Sequence, residues 1–152
     1  MSRGYFAIGI EHTKTPQNIG TLWRSANLYG AAFLYTVGAR YAKQSSDTMS
    51  SPSHIPLMHF VDLDDLKAHL PYSCPLVGVE MGDDSYRLAD YTHPERACYL
   101  LGAEDHGLTL RATEMCHQLV QIETLRPQSL NVAVAGSILL HDRHVSRKEA
   151  DR

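Results

Sequence analysis

Short apolar runs rich in β-forming residues alternate with stretches of helical period along almost the whole chain, and this alternation limits the possible folds more than any other feature. The first run spans 5–10. After a polar loop through Gln17, Ile19, Leu22, Trp23, Ala26 and Tyr29 recur at three- and four-residue steps, which predicts one face of a helix over 18–29. Gly30 stands where a helix stop is expected, and residues 33–37 read as a second strand. Further strands are predicted at 57–61, 75–80, 97–101 and 118–122. Asp62 suits the N-cap of a helix over 63–70, with Asp64 and Asp65 at its positive end. Residues 109–116 read as a short helix, and the last helix is expected from near Ser129 to about His144. Residues 39–56 read as an ordered loop. Strands separated by helices predict an α/β architecture with a mainly parallel sheet flanked by helices. Ligands of such sheets sit beyond the C-terminal ends of the strands, so the loops after Ile10, Glu80, Leu101 and Ile122 carry the functional signal.

The length of 152 residues predicts one domain over 1–152, and 43% hydrophobic with 20% charged residues excludes a disordered or fibrous chain. The apolar runs are too short to cross a bilayer, and no leader is visible, so a cytoplasmic protein without a membrane partner is expected. The odd cysteines Cys74, Cys98 and Cys116, never in CxxC spacing, read as idle thiols rather than zinc ligands. A net charge of −3 argues against nucleic acid only on average. Glu11 is the lone acid among residues 1–43, against Arg3, Lys14, Arg24, Arg40 and Lys43, whereas residues 44–105 are strongly acidic. A polyanion would meet a basic face built from the two ends of the chain.

The familiar site motifs fail. No GxGxxG follows the first strand, and the Gly102-to-Gly107 frame lacks the lysine of a phosphate loop while carrying Glu104 and Asp105. Its glycines instead permit close backbone approach to a neutral or cationic ligand. The histidines form no HExxH, so no metal is expected, and no GxSxG elbow exists. Two stretches remain. In the first, Asn18, Gly20 and Arg24 lie toward one end of the amphipathic helix, and Arg24, between Trp23 and Ala26, is expected near the buried side, where a charge needs a partner. In the second, Ser129 and Asn131 stand at a strand-to-helix junction where backbone amides collect, followed by the small residues Ala133, Ala135, Gly136 and Ser137. That small patch fits either a closely approaching backbone or tight core packing.

In order and spacing, these stretches resemble the three motifs of the SpoU-type (TrmH-like) RNA ribose methyltransferases of the SPOUT class. Asn18, Gly20 and Arg24, closed by Gly30, match the first; Leu101-Gly102-Ala103-Glu104-Asp105-His106-Gly107-Leu108 the second; Ser129-Leu130-Asn131-Val132-Ala133 the third. The chain departs from the family where Ile-Pro is usual, having Ile122-Glu123-Thr124. The resemblance implies a C-terminal deep trefoil knot, a homodimer, and S-adenosylmethionine held by Gly78, Val79, Glu80, Gly102, Glu104, Ile122 and Leu130. Glu104 would lie near the cationic donor or orient its loop. Arg24, Asn18, Ser129 and Asn131 become the catalytic candidates, with Arg24 stabilising charge on a ribose oxygen, since a guanidinium is a poor base. Lys14, Arg40, Lys43 and Arg126, joined by Arg3 and Arg143, are the candidate RNA phosphate contacts, and tRNA is the expected RNA. Competing readings are a catalytically silent knotted RNA-binding or assembly factor, and a base-methylating enzyme of the same class.

Overall fold

The computed structural model describes residues 4–38 and 55–152. Seven strands form one all-parallel sheet: β1 (Tyr5–Glu11), β2 (Phe33–Val37), β3 (Leu57–Phe60), β4 (Leu76–Val79), β5 (Tyr86–Arg87), β6 (Arg96–Leu101) and β7 (Gln118–Gln121), in the order β3-β2-β1-β6-β4-β7-β5. The helices are α1 (Pro16–Tyr29), α2 (Leu63–Ala68), α3 (Leu110–Met115) and α4 (Val132–Ala150). The expected loop over 39–56 falls almost entirely outside the described residues.

Side chains alternate across each strand, so every strand except the exposed β5 feeds two cores. On one face Phe6, Ile8, Ile10, Leu34, Tyr99 and Leu101 meet Ile19, Leu22, Trp23 and Ala26 of α1 and Leu139 and Leu140 of α4. On the other, Ala7, Tyr35, Val37, Cys98 and Leu100 meet Leu63 and Leu66 of α2 and Ala112 of α3. Each fully buried Leu or Ile contributes at most about 1.5–3 kcal/mol, so the buried stripe of α1 is what fixes that helix to the sheet. The small patch on α4 serves helix packing. A Cβ on Gly136 would strike Leu22 and Leu101, and Ser137 shares a 2.7 Å hydrogen bond with Ser25 of α1.

α1 stops where expected, on Gly30 with φ 82, its amide bonded to Asn27 O. Asp62 caps α2 by accepting from the Asp65 amide at 2.8 Å. The start of α4 differs from expectation. Its N-cap is Asn131, whose Oδ1 accepts from the Ala133 and Val134 amides, leaving Ser129 in the preceding loop, and the helix runs on to Ala150. β5 and the 3-10 turn Leu88–Asp90 were not anticipated. Burial pushes the thiols of Cys98 and Cys116 up to about 12, and all three cysteines are free, consistent with inert packing groups. Among the described residues no helix is long and apolar enough to cross a membrane.

Candidate functional site

Beyond the C-terminal ends of β4, β6 and β7, three loops and the start of α4 enclose a cleft of about 250 Å³, just under the range of about 300–1,000 Å³ typical of small-molecule sites. Val79 and Glu80, Gly102 to Gly107, Ile122 and Thr124, and Ser129, Leu130 and Val132 all line it. Of the residues expected to hold a cofactor, Val79, Glu80, Gly102, Glu104, Ile122 and Leu130 are in the wall. Gly78 lies one residue deeper and outside the lining, where a Cβ would meet Cys116 Sγ at 2.8 Å and Leu108 at 2.9 Å. Gly102 and Gly107 are required by geometry. Residues 103 and 107 bond each other's backbone both ways, so a Cβ on Gly102 would collide with the chain at Gly107, and Gly107 itself has φ 68.

Glu104 does not face outward. Its Oε1 accepts from Thr13 Oγ1 at 2.9 Å, Asn18 Nδ2 at 3.0 Å and the Thr15 amide at 3.3 Å, and its Oε2 accepts from the Lys14 amide at 3.2 Å. Burial opposes its ionisation, but the bonds from Asn18, the Lys14 amide and Thr13 outweigh that and hold the carboxyl below its ordinary range. Asn18 passes the connection on: its Oδ1 accepts from Asn131 Nδ2 at 3.0 Å, and Asn131 caps α4. Glu104, Asn18 and Asn131 thus form one continuous hydrogen-bonded chain that ties the loop after β6, the start of α1 and the start of α4 together. Glu104 both lines the cleft and ties its loop to the start of α1. The Asn18 and Asn131 amides are committed to this framework, whereas Ser129 stands in the cleft wall.

Arg24 requires correction. It is exposed, outside the cleft lining, and makes no hydrogen bond or ion pair among the described residues. Adjacency to Trp23 misleads because each helical residue turns by about 100°, which sends Arg24 to the outer stripe with Thr21 and Leu28. Arg143 also departs from expectation. It is 2% exposed, donates to the carbonyls of Pro94 and Glu95 and to Tyr99 Oη, and lies over the Phe6 ring, so it is a structural cation rather than a phosphate contact. Lys14 is exposed and paired with Asp105 at 2.5 Å, and Arg126 is exposed on the loop after β7. Arg3, Arg40 and Lys43 lie outside the described residues. In place of the family's proline, Glu123 forms a 2.8 Å ion pair with Arg87 of β5. No group of three or more potential ligands among the described residues could hold a metal ion.

Sequence reasoning passed over Thr13, Glu11 and Thr109. Thr13 is the first residue past the left-handed turn at His12 to reach Glu104, and Glu11 binds Thr109 through both carboxylate oxygens. The available signal was an acid at the buried end of an otherwise apolar strand.

Residues 5–141 match the model of the SpoU rRNA Methylase family. The chain is 28% identical over 147 residues to the tRNA (guanosine(18)-2'-O)-methyltransferase of Escherichia coli K12, covering 93% of this chain and 63% of that protein. Among solved structures, the SpoU methyltransferase AviRb from Streptomyces viridochromogenes superposes with a TM-score of 0.88 at 22% identity over 96% of this chain and 61% of that one. In its complex with AdoMet the score is 0.84, at 23% identity over 96% and 62%. A structure described as showing 2-OH methylation of C/U34 on tRNA scores 0.84 at 18% identity, covering 97% of this chain and 99% of the other. These structural likenesses establish the fold.

Proposed function

The chain belongs to the SpoU rRNA Methylase family, and from that membership and its cleft we propose that it is an S-adenosylmethionine-dependent RNA methyltransferase acting on a ribose 2'-hydroxyl, in tRNA. It spans 63% of the curated relative it matches, so recognition by the full-length relative does not carry over as a whole. The observation that carries the reading is the hydrogen-bonded chain Glu104–Asn18–Asn131, which draws all three motif segments around one cleft.

The cleft fits the cofactor on its own chemistry. Val79, Leu101, Ile122, Leu130 and Val132 offer apolar walls, the backbone at Gly102 and Gly107 is bare, and the Glu80 carboxylate beside it suits a cation, Asp105 being paired with Lys14. When bound, the cofactor supplies an electrophilic methyl group on a sulfonium. The chain's own part is orientation, worth up to about 7–11 kcal/mol, and stabilisation of charge on the attacking oxygen. Ser129 hydrogen-bonds the substrate at the cleft wall. The Arg24 guanidinium grips the neighbouring phosphate and offsets the developing negative charge.

Because Arg24 lies on the outer stripe of α1, it serves the cleft of a second copy. A homodimer through α1 and α4 is supported by the apolar residues exposed there. Leu28 on α1 is 73% exposed, and Val134, Ile138 and Val145 recur at helical spacing on α4. The C-terminal knot implied by the family resemblance belongs to the same proposal, as do RNA contacts by Lys14, Arg40, Lys43 and Arg126. Incubation with methyl-labelled donor and bulk tRNA, followed by digestion to nucleosides, tests the reading. Label in a 2'-O-methylnucleoside is expected. Label in a base points to a base-methylating enzyme, and RNA binding without label to a silent assembly factor.

A further inference from the structure

Glu11 closes β1 outside all three motifs, and it is 1% exposed. A buried carboxylate is costly unless its oxygens are satisfied. Here both are satisfied by one residue: Oε1 accepts from the Thr109 amide and Oε2 from Thr109 Oγ1, each at 2.8 Å. Thr109 is in turn the N-cap of α3, its Oγ1 accepting from the Ala112 amide at 3.2 Å. One residue earlier, the Leu108 amide donates to Glu80 Oε2 at 2.7 Å. The exit of the 102–109 loop is therefore held by carboxylates from the ends of β1 and β4. The bracing is reciprocal, because Glu104 of that loop holds Thr13, Lys14 and Thr15 in the loop that follows Glu11, and Asn18 in the first turn of α1. His12, immediately after Glu11, has φ 54, a conformation disfavoured for a residue with a Cβ, and its amide is held on Val37 O at 2.8 Å.

We propose that Glu11 is a positioning residue of the cleft: through Thr109 it fixes the 102–109 loop in the shape that receives the cofactor. The inference rests on the reading that this cleft holds S-adenosylmethionine. Glu11 does not line the cleft, and its effect passes through Thr109.

The test uses the full chain. Glu11→Ala removes both bonds and is expected to raise the cofactor KM about tenfold, equivalent to about 1.4 kcal/mol, whereas Thr109→Val removes only the hydroxyl bond, its amide still donating to Glu11, and raises KM by a smaller factor. With cofactor saturating, kcat stays near the parental value. Glu11→Gln and Thr109→Ser rescue, because a Gln oxygen still accepts from the Thr109 amide while the hydroxyl turns to accept from the Gln nitrogen. The Glu11→Ala/Thr109→Val double variant raises KM by less than the product of the two single effects, since the hydroxyl bond to Glu11 is deleted in both. Phe33→Leu, at the far end of the sheet, lowers the melting temperature without moving KM. Hydrogen exchange of the Leu108, Thr109 and Ala112 amides, followed without cofactor, is expected to quicken in Glu11→Ala. A parental cofactor KM in a folded Glu11→Ala or Thr109→Val chain overturns the proposal. A parent chain that transfers no methyl group refutes the functional reading instead, and the exchange rates alone then decide whether Glu11 holds the loop.

Discussion

Asn18→Asp changes one atom's identity at the centre of the framework and leaves its shape intact. In the native protein the Asn18 amide donates to Glu104 Oε1 at 3.0 Å and accepts from Asn131 Nδ2 at 3.0 Å. An aspartate keeps the second bond and replaces the first by two facing carboxylates. Unit charges about 4 Å apart at an effective dielectric constant near 20 repel by about 4 kcal/mol. The pair can escape by binding a proton. Protonating a carboxyl of ordinary pKa about 4 costs about 4 kcal/mol at pH 7, and each pH unit below that returns about 1.4 kcal/mol. The two limits agree, so the variant is destabilised by about 4 kcal/mol at pH 7 and by about 1.5 kcal/mol at pH 5. Asn18→Ala, which removes a hydrogen bond to a charged acceptor, is expected to cost about 1.5–3 kcal/mol with little dependence on pH. Urea unfolding of both variants and the parent between pH 5 and pH 7.5 reads this directly, with cofactor titration following the same trend. A deficit in Asn18→Asp that does not shrink on acidification refutes the reasoning, as does parental stability at pH 7.

Arg24→Ala is expected to lose nearly all methyl transfer while Arg24→Lys keeps a part, with cofactor binding intact in both. Mixing Arg24→Ala chains with Gly102→Val chains should restore activity, and no recovery on mixing contradicts delivery of the guanidinium across a dimer. Stability is also expected to fall below about pH 6.5 through His93. Burial, aided by Arg143 and Arg147 and opposed by Asp142, lowers its native pKa, so the neutral ring contributes fully above the unfolded value. That contribution is lost as pH falls from there toward the lowered native value, and a melting temperature as steep in pH for His93→Asn as for the parent rules the assignment out.

What the sequence revealed was whatever regular spacing encodes. β1, α1 and β2 follow from apolar runs and from the three- and four-residue steps of Ile19, Leu22, Trp23 and Ala26. β5 escaped because Tyr86 and Arg87 carry no run of their own; their pairing with Val120 and Gln121 makes them a strand. The start of α4 was misjudged because Ser129 and Asn131 are both good caps, and only the reach of Asn131 to two amides distinguishes them. Arg143 was legible and overlooked, since it continues the buried stripe of Val132, Gly136, Leu139 and Leu140 at helical spacing. The motif residues marked the right loops, yet their division of labour was hidden. Helical spacing already places Arg24 off the stripe of Ile19, Leu22, Trp23 and Ala26, but nothing in spacing reveals that Asn18 and Asn131 are bound to each other, because that arises only when distant segments meet.

The central claim is that the loops after β4, β6 and β7 form one pocket for a methyl donor. Calorimetric titration of the folded chain with S-adenosylmethionine tests it most directly. Saturable binding at one molecule per chain, abolished in Gly102→Val, is the result expected; a folded parent chain that shows no binding, or a Gly102→Val chain that binds as well as the parent, contradicts it.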